Sequence, residues 1–233
     1  MANTTLQVVS TLLGYGVDNE YISHNPASGL KRFKGGEHKA WTDGECLQFE
    51  SRWALGTMER RCYMLARCTG QRAGDLAAMT RGNRKGGFIH VVQEKTGKVL
   101  DIPELQELTA ELARGEQGHL SLLTKADGSA FNGKSLGEWF AIAIDRAGLP
   151  DDCVLHGLRK LTAKMLAEAG NSAHLIGAIT GHDPQSPEIT HYTRAADQRQ
   201  MATAAILSLE RNALGTPTAK HTPGKTAKQS GEH

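Results

Sequence analysis

The chain has 233 residues, 39% of them hydrophobic, and a net charge of +2; it is long enough for one sizeable domain with a buried core, and too nearly neutral to be basic all over, so a surface for a polyanion must be a local patch. Its four cysteines, Cys46, Cys62, Cys68 and Cys153, have no C-x-x-C spacing, which speaks against a zinc module or a disulfide-stapled secreted domain and for reduced core thiols. No apolar run approaches membrane-spanning length and the N-terminus lacks the basic region of a secretory signal, so a cytoplasmic protein with no membrane partner is expected.

Leu6, Val9, Leu12 and Leu13 have helical spacing, and the pattern is expected to break at Gly14 and Gly16. After Asn25-Pro26 comes a glycine-rich basic strip with Lys31, Arg32 and Lys34, either a solvated linker or a segment that touches phosphates. Thr42 and Glu45 have the spacing of a capping box, which predicts a helix carrying Leu47, Phe49 and Trp53. A second helix from about Met58 should end near Thr69-Gly70, and "QRAGDLAAM" should start another. From 87 to 103 the period changes: "GFIHVVQ" and "KVLDIP" are rich in β-branched residues around the turn "EKTG", which predicts a β-hairpin. Helices are expected over 103–113, over 136–147, and over 155–170 with Leu158, Leu161, Met165, Leu166 and Ala169 on one apolar face. A short helix, "SAHLIGAIT", a loop through "GHDPQSPEITHYTR" and a last helix over 195–211 follow, in which Met201, Ala204, Ile206, Leu207 and Leu209 are expected to pack at home in preference to docking on a partner. Beyond Gly215 the composition is that of a flexible tail.

Several polar residues stand out from this frame. His156 and Arg159 occupy the first turn of an apolar-faced helix, where free backbone N–H groups and the positive dipole end favour an anion. Arg159 offers a planar fork suited to phosphate, and His156 can exchange a proton near neutral pH. A capping pair with a solvated arginine fits that stretch equally well. Arg72 stands at a glycine turn between two helices, His182 follows Gly181, Tyr192 lies ten positions further, and Lys95 sits at the hairpin turn. Together they form a consistent phosphoryl-transfer inventory: guanidiniums to hold a phosphate, a phenol to attack it, and a lysine and histidines to move protons. No carboxylate cluster or His/Cys set with metal-ligand spacing accompanies them, so neither metal nor cofactor is expected, and a zinc hydrolase built on His156 and His182 lacks a third ligand.

"TGQRAGDL", "HGLRK" and "GHDPQSPEITHYTR", in this order, resemble the active-site boxes of the tyrosine recombinase family, the phage and mobile-element integrases, and "QEKTGKVLDIP" resembles its lysine-bearing hairpin. The resemblance implies an α/β fold, mainly α with a small antiparallel sheet. Residues 1–36 would be the remnant of an N-terminal core-binding helical domain and linker, 37–212 the catalytic domain, and 213–233 a flexible tail. It also implies roles. Arg72 and Arg159 would bind the scissile phosphate, Tyr192 would form a 3′-phosphotyrosyl link, and Lys95 would protonate the departing 5′ oxygen. His156 would act as acid and base toward the tyrosine, and His182 would hydrogen-bond the phosphate. Lys31, Arg32, Lys34, Lys98 and Lys160 would contact DNA. In one departure, Tyr192 lies one position further from His182 than the family's usual spacing, with Pro184 and Pro187 in the gap.

The expected activity is therefore site-specific, metal-independent cutting and rejoining of duplex DNA, for integration or excision of a prophage or mobile element. The expected setting is the bacterial nucleoid, with the chain a monomer when free, a homotetramer on synapsed DNA, and open to help from accessory DNA-bending proteins. With half of a DNA clamp absent, this chain alone should bind weakly and lose affinity steeply with salt. The rival readings are a DNA-binding regulator or catalytically decayed integrase, and a type IB topoisomerase.

Overall fold

The computed structural model describes residues 2–33, 38–114 and 119–213, with the side chains of part of the last helix, Met201 and Ala204 among them, outside that description. The chain divides into two compact units, residues 1–38 and 39–233. In the first, helix α1 (Ala2–Asp18) runs unbroken through Gly14 and Gly16, where the sequence pattern suggests a stop. Glycine inside a helix costs about 1 kcal/mol relative to alanine but, unlike proline, removes no hydrogen bond, so it need not end the helix. The turn comes later, at Glu20 with φ 60, where Tyr21 N–H donates to Gly16 O at 2.8 Å. The following strip folds back along α1: Asn25 Nδ2 donates to Ser10 O at 2.9 Å, and Asn3 and Phe33 exchange hydrogen bonds of 2.7 and 2.8 Å. Lys31 and Arg32 are exposed, and Lys34 lies outside the described residues.

The second unit opens with the expected capping box, Thr42 and Glu45 each bonding the other's backbone N–H at the start of α2 (Asp43–Arg52). Phe49 is buried, whereas Leu47, two positions away and so on another face of the helix, is exposed. Then come α3 (Met58–Thr69), α4 (Ala73–Ala77), β1 (Arg84–Lys85), β2 (Phe88–Val92), β3 (Val99–Pro103), α5 (Gln106–Arg114), α6 (Gly133–Arg146), α7 (Leu155–Glu168), α8 (Ala173–Thr180) and α9 (Pro187–Ala213). The strands form one antiparallel sheet in the order β1-β2-β3. Ile89 pairs with Ile102 and Val91 with Leu100 across β2 and β3, and all four are buried, so the alternation read in the sequence fixes which face meets the core. That core holds Trp41, Phe49, Tyr63 and Phe140, with Phe49 stacked on Tyr63 at 5.2 Å and 5.3 Å from Phe140. All four cysteines are buried and unpaired.

Helices α3 and α7 pack on each other at the centre. The single apolar face expected for α7 is therefore too narrow. Leu158 and Leu161 are buried as expected, but so are Arg159, Lys160 and Ala163, while Met165 and Ala169 are exposed. A helix enclosed by α3, α6, α8 and α9 buries more than one stripe, and its polar residues must then find partners inside.

The last helix begins at Pro187, well before the expected 195. Proline suits the first helical position, where its missing N–H has no partner to lose, and Ser186 supplies the start: its carbonyl accepts from Thr190 N at 3.0 Å. Tyr192 thus stands on a helix and not in a loop. Glu188 lies 3.7 Å from Lys160, and Arg199 lies 3.9 Å from Glu168 at the end of α7. Ile206, Leu207 and Leu209 are half-exposed or more, a larger exposure than packing at home would leave. Residues 214–233, the expected tail, lie outside the described residues.

Candidate active site

Two helix ends converge to build the site. α3 closes on Gly70, in the left-handed conformation at φ 62, and α8 closes on Gly181 at φ 74. Glycine adopts that backbone at no steric cost, and at Gly181 it has a second reason, because any Cβ would strike the side-chain amide of Gln93. Arg159, 1% exposed, reaches into the junction, and its Nη1 donates to Gly70 O and Thr180 O at 2.6 Å each. Terminal helix carbonyls carry partial negative charge and lack intrahelical donors, so they hold a guanidinium well. The other two nitrogens of Arg159, Nε and Nη2, are buried without a hydrogen-bond partner. A buried donor left without a partner is costly. Such a donor pair matches an anion able to accept both hydrogens.

Arg72 joins from the start of α4, its Nη1 3.1 Å from Gln93 Oε1 and 3.7 Å from Asp75 Oδ2. The field of the two arginines is visible in their neighbours. Arg159 is depressed to about 10, first by burial and then by Arg72, so it still carries its proton at neutral pH. His182 is driven down to about 3, first by burial and then by Arg159, Arg72, His156 and Lys98, so its imidazole is neutral at any working pH. Its Nδ1 lies 2.9 Å from Thr180 Oγ1, whose own hydrogen can go to Ile176 O at 2.8 Å. His156 is exposed on the first turn of α7. That turn sits against residues 39–41 so tightly that a side chain at Gly157 would lie 2.7 Å from Lys39 O, and Trp41 Nε1 bonds Val154 O at 3.0 Å.

The structure thus gathers Arg72, Arg159 and His182, with His156 close enough to act on the His182 imidazole. Tyr192 packs its ring against the small cluster of Ala163, Ala167, Ile176 and Ile189. It stands one turn beyond Glu188, on the face of α9 that Glu188 turns toward His182, with Oε2 3.6 Å from Nε2. Lys95 is exposed at the hairpin turn. Lys98, expected from sequence to contact DNA, is exposed and donates to Gly181 O and His182 O at 3.2 Å each. Lys160, expected to do likewise, is buried and directed at Glu188 because α7 is enclosed.

Sequence reasoning missed Gln71, Gln93, Asp75 and Glu188. Asp75, three positions after Arg72, and Glu188, four before Tyr192, have helical spacings that could have flagged them, while the glutamines carry no such mark. It also missed Glu45, Asp152 and Cys153, which among the described residues bring potential ligand atoms within 4.8 Å of one another. The Lys39 ammonium lies 2.7 Å from both carboxylates, which makes this an ion-pair cluster.

The sequence model of the phage integrase family matches residues 46–199, more than half of the chain. The chain belongs to the phage integrase family. Its fold is that of solved family members. A lambda integrase fragment, in a dimer bound to a COC′ core site, superposes with a TM-score of 0.68 at 22% identity, covering 82% of this chain and 72% of that one. The Tn1549 transposon integrase, in complex with circular-intermediate DNA, gives 0.68 at 16% identity over 85% and 77% of the two chains. A lambda integrase tetramer bound to a Holliday junction gives 0.68 at 21% identity, with 82% of this chain but only 58% of that one covered. No curated protein matches the sequence. This integrase-family chain is therefore a mainly helical tyrosine recombinase catalytic domain with a small antiparallel sheet, and among its described residues no helix is long and apolar enough to cross a membrane.

Proposed function

We propose that the chain cuts and rejoins duplex DNA at a specific site, without a metal ion, in the integration or excision of a prophage or mobile element. The observation that carries this reading is the buried Arg159 fork, with two donors unspent beside Arg72 in a pocket where burial first, and the two arginines second, keep His182 neutral. Such a pocket suits one phosphodiester whose charge grows in the transition state. In the reaction, Tyr192 Oη attacks phosphorus, the bond to the 5′ oxygen breaks, and a 3′-phosphotyrosyl link forms. His156 takes the phenol proton, Lys95 supplies one to the departing 5′ oxygen, and attack by a 5′ hydroxyl reverses the sequence. Bond energy is kept in the covalent link, so rejoining needs no nucleotide.

Lys95 fits this role if the hairpin turn moves when DNA arrives. The exposed apolar residues late in α9 fit a tetramer on synapsed DNA, as in the lambda integrase bound to a Holliday junction. The test is a nicked suicide duplex carrying the element's attachment site. Wild-type protein should yield a covalent adduct on a denaturing gel, and Tyr192→Phe should yield none while still binding. Binding without an adduct from wild type, or an adduct persisting in Tyr192→Phe, overturns the proposal in favour of a DNA-binding regulator or another nucleophile.

A further inference from the structure

Gln93 is wholly buried two positions before Lys95, and its amide is saturated. Nε2 donates to Gln71 Oε1 at 2.6 Å and to Thr180 O at 2.9 Å, while Oε1 accepts from Arg72 Nη1 at 3.1 Å and from Thr96 Oγ1 at 2.9 Å. Two donors and two acceptors are all a primary amide has. The orientation is fixed as well, because the flipped amide would turn its N–H groups toward the guanidinium and its oxygen toward two acceptors. Thr180 O is shared, accepting from Gln93 and also from Arg159 Nη1. A continuous path therefore runs from Arg72 through the Gln93 amide and one carbonyl to Arg159. Gln71 braces it by donating to Thr69 O at 2.8 Å and Ile179 O at 2.9 Å, the ends of the same two helices.

From this path we infer that Gln93 is a positioning residue of the phosphate site: it holds Arg72 at a set distance from Arg159 and ties that spacing to the hairpin that carries Lys95. The inference rests on the proposed reaction for its consequence, but not for its geometry. Two guanidiniums repel each other and Arg72 is only partly buried; Asp75 Oδ2, at 3.7 Å, attracts Nη1 from beyond hydrogen-bond reach, so Gln93 Oε1 at 3.1 Å is the acceptor that keeps Nη1 from swinging toward water. A neutral amide supplies that acceptor without cancelling the charge the phosphate needs. A carboxylate there would hold Arg72 more tightly but would neutralise it, and would oppose Gln71 Oε1 and Thr180 O with no donor to offer them. Through the backbone from 93 to 95, the same residue fixes where the hairpin turn begins, so arginine spacing and lysine delivery share one anchor.

The experiment compares Gln93→Met, of similar length and apolar, and Gln93→Glu, of the same shape, with wild type. Melting curves establish that each folds. On the suicide duplex, Gln93→Met is expected to slow covalent capture at saturating DNA by roughly 100-fold, the scale of a misplaced reacting group, while the DNA Kd changes by less than about 3-fold because the other phosphate contacts remain. Gln93→Glu should slow it at least as much. Sulfate titration followed by the arginine Nε–H resonances separates positioning from mere support of the fold. In wild type both Arg72 and Arg159 should shift together. In Gln93→Met Arg159 should still respond while Arg72 does not. The proposal is overturned by wild-type capture rates in a folded Gln93→Met, by an Arg72 resonance that still follows sulfate in that variant, or by failure of both variants to fold, which would make the amide a purely structural residue. If wild-type protein forms no adduct yet the resonances behave as stated, the reaction reading falls and the positioning role stands.

Discussion

Arg159 keeps a full charge inside the protein on two helix-end carbonyls; burial and then Arg72 lower its proton affinity, and Glu188, ahead of Asp75, raises it. Glu188 faces Lys160 at 3.7 Å and His182 at 3.6 Å, and its Oε1 is buried with no hydrogen bond. An anion entering the same positive pocket would meet that carboxylate at close range, so Glu188 opposes phosphate binding while it steadies the free protein. Glu188→Gln is therefore expected to tighten short-duplex binding about 10-fold, the equivalent of ~1.4 kcal/mol, with the gain shrinking as salt rises. Fluorescence anisotropy across a salt series would read it. Unchanged or weaker binding would mean that the carboxylate helps to hold Lys160 in a conformation DNA needs.

The hairpin and the α8 terminus meet through two lysines three positions apart with opposite situations. Both are exposed, but Lys98 donates to the carbonyls of Gly181 and His182, while Lys95 stands on the turn itself. Lys98→Met should accelerate amide exchange across residues 93–98 by about 10-fold as the turn detaches. Lys95→Met should leave exchange alone yet abolish covalent capture. Exchange measured by mass spectrometry on both variants decides it, and equal protection in Lys98→Met would show that the sheet register alone holds the turn. The hairpin is legible in the sequence because apolar residues alternating with period two, as at Ile89, Val91, Leu100 and Ile102, fit a half-buried strand and do not fit one face of a helix. The capping box at Thr42 is legible for a related reason: a local hydrogen-bond pair requires a local spacing. What is not legible depends on packing at a distance. Gly14 and Gly16 look like breakers though a helix tolerates them, Pro187 looks like loop though it is a good first helical residue, and α7 shows one apolar face because nothing local announces that four helices surround it. The same holds for the site. Arg72, Arg159 and His182 stand out by their motifs and do lie together, whereas Gln71 and Gln93 become visible only once two helix ends and a hairpin turn are brought to one point.

At the scale of the whole molecule, a chain of net charge +2 holds one imidazole neutral by burying it and then by setting Arg159, Arg72, His156 and Lys98 around it, and this makes folding itself sensitive to pH. His182 titrates near 6.5 when unfolded and near 3 in the folded protein. Between those values the unfolded chain binds a proton that the folded one refuses, so stability rises with pH there and is lost as pH falls from 6.5 toward 3. Below about pH 5 the lowered carboxylates Glu45 and Glu104 add a loss of the same sign, since each is ionised in the folded state at pH values where its unfolded counterpart takes up a proton. The window that isolates the histidine is therefore the upper one. From pH 7.5 to 5 this single group should remove about 2 kcal/mol of unfolding free energy, and His182→Gln should flatten that limb of the curve. Sulfate sharpens the test, because an anion between Arg72 and Arg159 cancels part of the field that expels the proton. Stabilisation by sulfate should thus grow on acidification in wild type and stay level in His182→Gln. Urea unfolding at a series of pH values, with and without sulfate, measures both, and parallel curves for the two proteins would mean that the imidazole does not sit in the field of the arginines.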